Sequence, residues 1–233
     1  MNWVYMIIVF IICIPGIYYM YQSEKIYLKE DDVTDRQRLI IHVLTAIIFS
    51  AMGAFIVPKI DVVQQIEAMK IIKYGFGLGI ICSIGNLLFY YMYFVPNLTR
   101  EEYLKIETYY VNAGILSRVF YGGIIEEVIF RWSLLSLFIW LCQLVNLNNE
   151  TSEWLAIAIS SILFALIHIP SIKLVASKPK TSMYVYAIIG NIWVGVFAGV
   201  AFVYGSLLAA IIVHMLFHLL WWPIQTREYA KLQ

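Results

Sequence analysis

The EEVIFR segment places ionisable residues inside an apolar stretch of the chain. Glu127 and Arg131 are four residues apart, which sets them on one face of a helix as an ion pair. Glu126 lies about 100° further round the helix and lacks that partner. A charge at the bilayer centre costs about 2.5–3.5 kcal/mol unless it is paired or faces water, so these residues indicate a functional site.

Two further motifs contain histidines at helical spacing. Phe164 and His168 are four residues apart in FALIH, and His214 and His218 repeat the spacing in HMLFH. The fourth histidine of the chain, His42, is predicted to be structural. A carboxylate and an imidazole together can activate water for peptide cleavage, and so can a metal ion that the same groups bind.

Structural roles are the alternative for several of these residues. A single histidine in a membrane helix can simply donate a hydrogen bond to a neighbouring helix. The Glu127–Arg131 pair can be a structural ion pair, and Phe164 can be a packing residue that fixes the rotamer of His168. None of these roles explains a buried Glu126.

The composition of the chain indicates that lipid surrounds most of it. Hydrophobic residues make up 62% of its 233 residues and charged residues only 13%, whereas a soluble domain carries about 25% charged residues. The apolar stretches are long enough for helices that cross a bilayer, and none alternates like a barrel strand. A net charge of +1 argues against a nucleic-acid surface, and the three cysteines show no metal-ligand spacing.

The hydrophobic pattern predicts an all-α transmembrane bundle of about seven spans. We place these spans at residues 3–21, 39–57, 72–95, 118–145, 153–170, 182–203 and 205–222. The fourth stretch exceeds one crossing, so it could be kinked near Gly122 and Gly123 or split, and an eighth segment stays open. Residues 97–110 could form an interfacial helix or a solvated linker.

The distribution of Lys and Arg predicts the orientation. With the N-terminus outside, twelve of the 16 Lys and Arg residues fall in cytoplasmic segments, against Lys59, Lys70 and Lys73 outside. We therefore expect an integral membrane protein with its N-terminus outside and its C-terminus in the cytoplasm. We expect the membrane to be that of a bacterial cell. In this topology Glu126 and His214 each lie about eight residues, or roughly 12 Å, from the inner ends of their helices. One cytoplasm-facing cavity could then gather the polar groups.

Taken in order, the three motifs resemble those of the CPBP intramembrane proteases, the family of type II CAAX prenyl endopeptidases, bacteriocin-processing enzymes and abortive-infection proteins. The family pattern is Glu-Glu-x-x-x-Arg, then Phe-x-x-x-His, then His-x-x-x-Asn or Asp. The resemblance covers about residues 115–222. Within it, Gly195 and Gly199 form a small-xxx-small pair suited to close helix contact.

The resemblance implies a role for each site residue. Glu126 and His168 would activate the attacking water, and His214 would stabilise the oxyanion or bind metal. Glu127 and Arg131 would support the site. Although the family is often called metalloprotease, the motifs leave open whether zinc is required; its ligands would be Glu126, His168 and His214.

His218 departs from the family pattern, because it stands where Asn or Asp is usual. An imidazole can still donate a hydrogen bond to an oxyanion, but its protonation varies near neutral pH. The change also creates two histidines at i and i+4, a spacing at which they can share a metal ion. We therefore hypothesise a higher metal affinity than in a usual member.

These observations predict three regions: N-terminal helices without family motifs at residues 1–110, a catalytic core at 111–222 and a cytoplasmic tail at 223–233. The predicted function is an intramembrane endopeptidase that cleaves a peptide or a lipidated, CAAX-like peptide at the cytoplasmic face. Its partners would be membrane lipid and that substrate, with no nucleic acid, and the sequence gives no oligomeric state. The alternatives are a non-proteolytic scaffold or immunity protein of the same fold and a proton-coupled transporter, against which stands the lack of an inverted repeat.

Overall fold

The computed structural model describes residues 2–27, 33–60, 62, 64 and 66–233. Its regular secondary structure in these ranges is entirely helical, which confirms the predicted all-α class. Six of the described helices are long and apolar enough to cross a membrane. A seventh long helix, residues 115–144, matches the predicted fourth span but carries four charged residues and is not among those six.

The helices are numbered α1 to α9 in chain order. They are α1 (Trp3–Tyr27), α2 (Asp35–Ile56), α3 (Ala68–Asn97), α4 (Arg100–Ala113), α5 (residues 115–144), α6 (Asn149–His168), α7 (Ile172–Val175), α8 (Thr181–Tyr204) and α9 (Leu207–Ala230).

Contacts at the helix ends show that α1 and α2 run in opposite directions. The amide of Asn2, before α1, donates to the carbonyl of Ala54 near the end of α2 at 3.2 Å. At the opposite end of the bundle, Ser23 of α1 donates to the carbonyl of Ala113 in α4 at 2.7 Å. We call the second end the α4 end; it is the end for which the sequence predicts a cytoplasmic location.

Helix α5 lies at the centre of the bundle, in contact with α1, α2, α6 and α9. Its backbone forms wide π-helical turns at Arg118–Glu126 and Val128–Leu135. Such turns are rare and occur often at functional sites. The helix is continuous from residue 115 to residue 144, so the split that the sequence left open does not occur in this part of the chain.

Small residues bring α6 and α8 close together, as the sequence predicts. A Cβ atom on Gly195 would lie 2.8 Å from the Cβ of Ser161, and one on Gly199 would lie 3.1 Å from a methyl carbon of Ile157. The carbonyl of Gly195 accepts a hydrogen bond from Arg131 Nη2 at 3.1 Å. This contact ties the arginine of the EEVIFR motif to α8.

Several helices extend beyond their apolar stretches. Residues 100–113 form α4, which begins with a capping box of Thr99 and Glu102 and settles the choice between helix and linker. Helix α9 continues past Pro223 to Ala230, so most of the predicted tail is helical. Helical hydrogen bonding does not require apolar side chains, which is why hydropathy ends these segments too early.

Candidate active site

A cavity of about 290 Å³ lies among α3, α4, α5, α6, α8 and α9 toward the α4 end. Its walls include all four residues that we predicted to be catalytic: Glu126, His168, His214 and His218. Phe164 also lines the cavity. The structure therefore brings together, from three helices, the polar groups that the motifs singled out.

Glu126 occupies the centre of this group. Its Oε1 lies 3.8 Å from His168 Nε2 and its Oε2 lies 3.9 Å from His214 Nε2. The side chain of Glu126 is 17% exposed and that of His168 is 27% exposed, whereas His214 is 3% exposed. The carboxylate thus faces two imidazoles at distances too long for direct hydrogen bonds.

A backbone carbonyl fixes the tautomer of His168. The Nδ1 atom lies 2.7 Å from the carbonyl oxygen of Phe164, one helical turn earlier. Because a carbonyl oxygen can only accept, Nδ1 carries the hydrogen. A neutral His168 therefore presents the lone pair of Nε2 to Glu126.

Glu127 fixes His214 in the same way. The Nδ1 atom of His214 lies 2.7 Å from Glu127 Oε1, and the same oxygen lies 3.0 Å from Arg131 Nη1. Glu127 and Arg131 are 0% and 1% exposed, and neither lines the cavity. The ion pair predicted from the sequence therefore forms, and it holds His214 with Nε2 toward Glu126.

These orientations place three hydrogen-bond acceptors around one point. An ionised Glu126 has no proton to donate, and each imidazole presents the lone pair of its Nε2 whenever it is neutral. A water molecule between these groups can donate hydrogen bonds to two of the three acceptors at a time, and a polar contact longer than 3.5 Å commonly holds a bridging water. The arrangement is suited to holding and deprotonating a water molecule.

Phe164 packs these groups against one another. Its ring, which is 1% exposed, lies 4.5 Å from the ring of His168 and 5.7 Å from that of His214, between centroids. The guanidinium of Arg131 lies 4.9 Å from the same ring. Phe164 is therefore a packing residue, as the structural alternative held, and it contacts both imidazoles.

A family model matches the part of the chain that carries these three motifs. The family model described as Type II CAAX prenyl endopeptidase Rce1-like matches residues 110–220. These residues are a Rce1-like domain. The chain is thus a CAAX-protease-like integral membrane protein. A search of curated proteins and a search of solved structures found no match.

In the Rce1-like domain, Glu126, His168 and His214 are the residues that would hold a zinc ion. Carboxylate and imidazole are donors that zinc uses, at about 2.0–2.2 Å from the metal. However, no group of three or more His, Cys, Asp or Glu residues in the described chain is placed to hold a metal ion. Zinc stays a prediction from the family resemblance, and the chemistry below uses the side chains alone.

His218 lies beside the other histidines of the Rce1-like domain. Its ring stacks on that of His214, with 5.2 Å between centroids and 28° between planes. Its Nδ1 is buried and has no hydrogen-bond partner. A Cβ atom on Gly122 would lie 2.9 Å from His218 Nε2, so a glycine is needed where α5 passes this ring. A raised metal affinity at His214 and His218 stays a prediction.

Sequence reasoning missed several polar residues of the cavity region, and Arg118, Gln225 and Glu107 are among them. Arg118, at the start of α5, lines the cavity and donates from Nη1 to Gln225 Oε1 at 2.6 Å. Nearby, Glu107 of α4 accepts a hydrogen bond from the hydroxyl of Tyr90. Burial raises the pKa of the Glu107 carboxyl above its usual value. These residues fall in or beside polar segments, for which the sequence predicts exposure to solvent.

Proposed function

We propose that this protein is an intramembrane endopeptidase in which Glu126 is the general base for an attacking water. The observation that carries the proposal is the position of the Glu126 carboxylate, which faces Nε2 of both His168 and His214 inside a cavity. Among the described residues Glu126 has no arginine ion-pair partner, and an unpaired carboxylate among membrane-spanning helices is costly, so its presence supports a chemical role.

The reaction would begin with a water held by Glu126 and His168. Glu126 takes one proton as the water oxygen attacks the carbonyl carbon of the peptide, and the carbonyl electrons move onto its oxygen. The carbon–nitrogen bond then breaks as this electron pair returns. The nitrogen takes the proton from Glu126 and leaves as an amine, while the other fragment leaves with a new carboxyl group.

His214 is suited to stabilise the oxyanion. To donate a hydrogen bond from Nε2 it must be protonated at both nitrogens, and Glu127 accepts from Nδ1 to stabilise that form. Donors that are already oriented contribute strongly to acyl-transfer catalysis, because no reorganisation is needed during the reaction. Glu127 and Arg131 would act indirectly by orienting this imidazole.

The substrate would be a peptide or a lipidated, CAAX-like peptide that reaches the cavity from the membrane or its surface. Two observations support this assignment: the cavity lies among membrane-spanning helices, and the domain is Rce1-like. The α4 end would face the cytoplasm of a bacterial cell, since the short segments there carry most of the Lys and Arg residues.

The test is cleavage of a library of membrane-tethered peptides, including S-farnesylated peptides that end in Cys-aliphatic-aliphatic-X, by purified protein. Wild type is compared with His168→Ala and with the matched control His42→Ala. Like His168, His42 lies beside a glutamate, with Nε2 2.9 Å from Glu24 Oε2, but it is buried and does not line the cavity. A parallel sample contains a zinc chelator.

Products from wild type and His42→Ala, together with their loss in His168→Ala, would support the peptidase. The chelated sample then decides the zinc question. If folded wild type gives no product from the whole library, or if His168→Ala cleaves as fast as wild type, the proposal fails. A non-proteolytic scaffold of the same fold would then be the better account.

A further inference from the structure

The amide of Asn86, on α3, is a cavity group that the proposed reaction does not use. Asn86 lines the same cavity as Glu126, is 2% exposed and lies outside the residues that the family model matches. Its Oδ1 accepts a hydrogen bond from the hydroxyl of Tyr186 at 3.0 Å. Its Nδ2 is buried and has no hydrogen-bond partner among the described residues. A buried donor without an acceptor is costly, so an acceptor inside the cavity is expected to pair with it.

Tyr186 fixes the orientation of this amide. The ring of Tyr186 stacks on that of Phe94, with 4.4 Å between centroids, and lies edge-on to the ring of Tyr90 at 5.2 Å. These contacts hold the hydroxyl beside Asn86 Oδ1. Because the oxygen and the nitrogen of an amide share one carbon, Nδ2 is then the end of the amide that is turned away from Tyr186.

The acceptor that such an amide can find in its own helix is occupied at Asn86. The carbonyl oxygen of Cys82, one turn earlier, accepts from the indole Nε1 of Trp193 at 2.9 Å as well as from the helical amide. Asn191 of α8 also lines the cavity, but its Nδ2 donates to the carbonyl oxygen of Ala187 at 2.6 Å, one turn earlier. Trp193 therefore takes the position that Asn86 would need in order to pair as Asn191 does.

Helix packing places Asn86 on the α4 side of the reacting groups. A Cβ atom on Gly79 would lie 3.2 Å from the Cα of the residue before His214, so these parts of α3 and α9 are level. Further along both helices, the ring of Tyr90 lies 4.8 Å from that of Trp221, which packs against α4. Asn86 is one turn before Tyr90, so it lies nearer the α4 end than His214 does. A substrate carbonyl at Asn86 would therefore belong to a residue beside the attacked bond.

We propose that Asn86 Nδ2 donates a hydrogen bond to a main-chain carbonyl of the peptide substrate, on a residue near the attacked bond. The inference deepens the proposed peptidase function and rests on it. A peptide carbonyl suits this donor, because both groups are neutral and every residue of a peptide supplies one. Asn86 would hold the main chain of the substrate whatever its side chains, and Tyr186 would act indirectly as a positioning residue.

The test measures binding of S-farnesylated peptides to Glu126→Gln protein by fluorescence anisotropy. The parent peptide ends in Cys-aliphatic-aliphatic-X, and each analogue has one of its peptide bonds replaced by an E-alkene, which keeps the shape but removes the carbonyl oxygen. With Asn86 intact, replacement of one bond other than the attacked one should weaken binding by about 5- to 150-fold, because the donor is left without its acceptor. When Asn86→Leu is added, the same replacement should weaken binding by less than about threefold.

Two further variants, also made in Glu126→Gln protein, keep this test interpretable. Asn191→Leu is the matched control, because it alters an asparagine of the same cavity whose amide is already paired, and it should leave the loss for every analogue unchanged. Tyr186→Phe should reduce the loss at that one peptide bond and at no other, which a merely structural role would not do. If Asn86→Leu does not fold, adding Tyr186→Phe removes both partners of the buried hydrogen bond, which is often nearly neutral for stability.

Cleavage and binding separate the two proposals. If wild type cleaves no peptide but the loss at one bond still depends on Asn86, the peptidase fails and the amide site stands. The inference is overturned if Asn86→Leu weakens the parent and all analogues by the same factor, if it changes the binding of none of them, or if no peptide binds to folded protein. Dependence at the bond that wild type cleaves would overturn the assignment to a neighbouring residue.

Discussion

The buried ion pair of Glu127 and Arg131 should show strong coupling in a double-mutant cycle. Both side chains are at most 1% exposed, and the charged atoms lie 3.0 Å apart. At an effective dielectric constant of about 20, unit charges at 3.0 Å attract by about 5.5 kcal/mol. The cost of removing both charges from water offsets much of this attraction. Removing one partner of a buried pair therefore costs about 3–5 kcal/mol, whereas replacing both partners by apolar residues is often nearly neutral.

We therefore expect Glu127→Met and Arg131→Met each to lower the free energy of unfolding by about 3–5 kcal/mol. The double variant should lie within about 2 kcal/mol of wild type, because no unpaired charge is left. Unfolding of protein in mixed micelles with increasing dodecyl sulfate measures all four free energies. Additive losses, with a double variant less stable than either single one, would refute the reasoning.

The same variants separate structural support from catalysis. Arg131→Met keeps the hydrogen bond from His214 Nδ1 to Glu127, whereas Glu127→Met removes it. At a temperature where both are folded, Glu127→Met should therefore lose more peptidase activity than Arg131→Met. Equal activities would mean that Glu127 does not act through His214.

Two further predictions follow from glycine packing and from a buried acid. Gly122→Ala should lower kcat/KM at least tenfold, because the added Cβ would lie 2.9 Å from His218 Nε2. The control is Gly77→Ala, whose Cβ would meet only a carbonyl oxygen at 3.5 Å, and it should leave kcat/KM unchanged. Because the pKa of Glu107 is raised in the folded protein, the folded state binds more protons than the unfolded state above about pH 4.5. The free energy of unfolding should therefore fall as pH rises through the pKa that Glu107 has in the folded protein. Melting temperatures in detergent should show this fall for wild type and a flatter profile for Glu107→Gln; identical profiles would contradict it.

The bundle and the motif residues could be predicted because each leaves a local signal. Lipid-facing helices need long apolar runs, and polar residues within those runs are rare enough to stand out. Glu126, Glu127, Arg131 and His168 were therefore identified by position and spacing alone. The structure places Glu126 in the cavity and Arg131 behind it, as the ion-pair argument indicates.

Other parts of the site depend on contacts between distant segments. Arg118 is close to the polar segment before α5, and only the fold shows that Gln225, 107 residues later, reaches it from an extended α9. The hydrogen bonds that orient His168 and His214 also depend on backbone geometry and on interhelical contacts. The π-helical turns of α5 have no pattern that hydrophobic periodicity detects.

The rate at which a Glu126→Gln variant cleaves a peptide that wild type cleaves tests the central claim most directly. A general base contributes about 10²–10⁴-fold to the rate, so we expect at least a hundredfold loss of kcat with an unchanged melting temperature. The amide keeps the size of the carboxylate but cannot accept the proton from water. A folded Glu126→Gln protein that cleaves within about threefold of the wild-type rate would contradict the account, since a lost general base should cost far more.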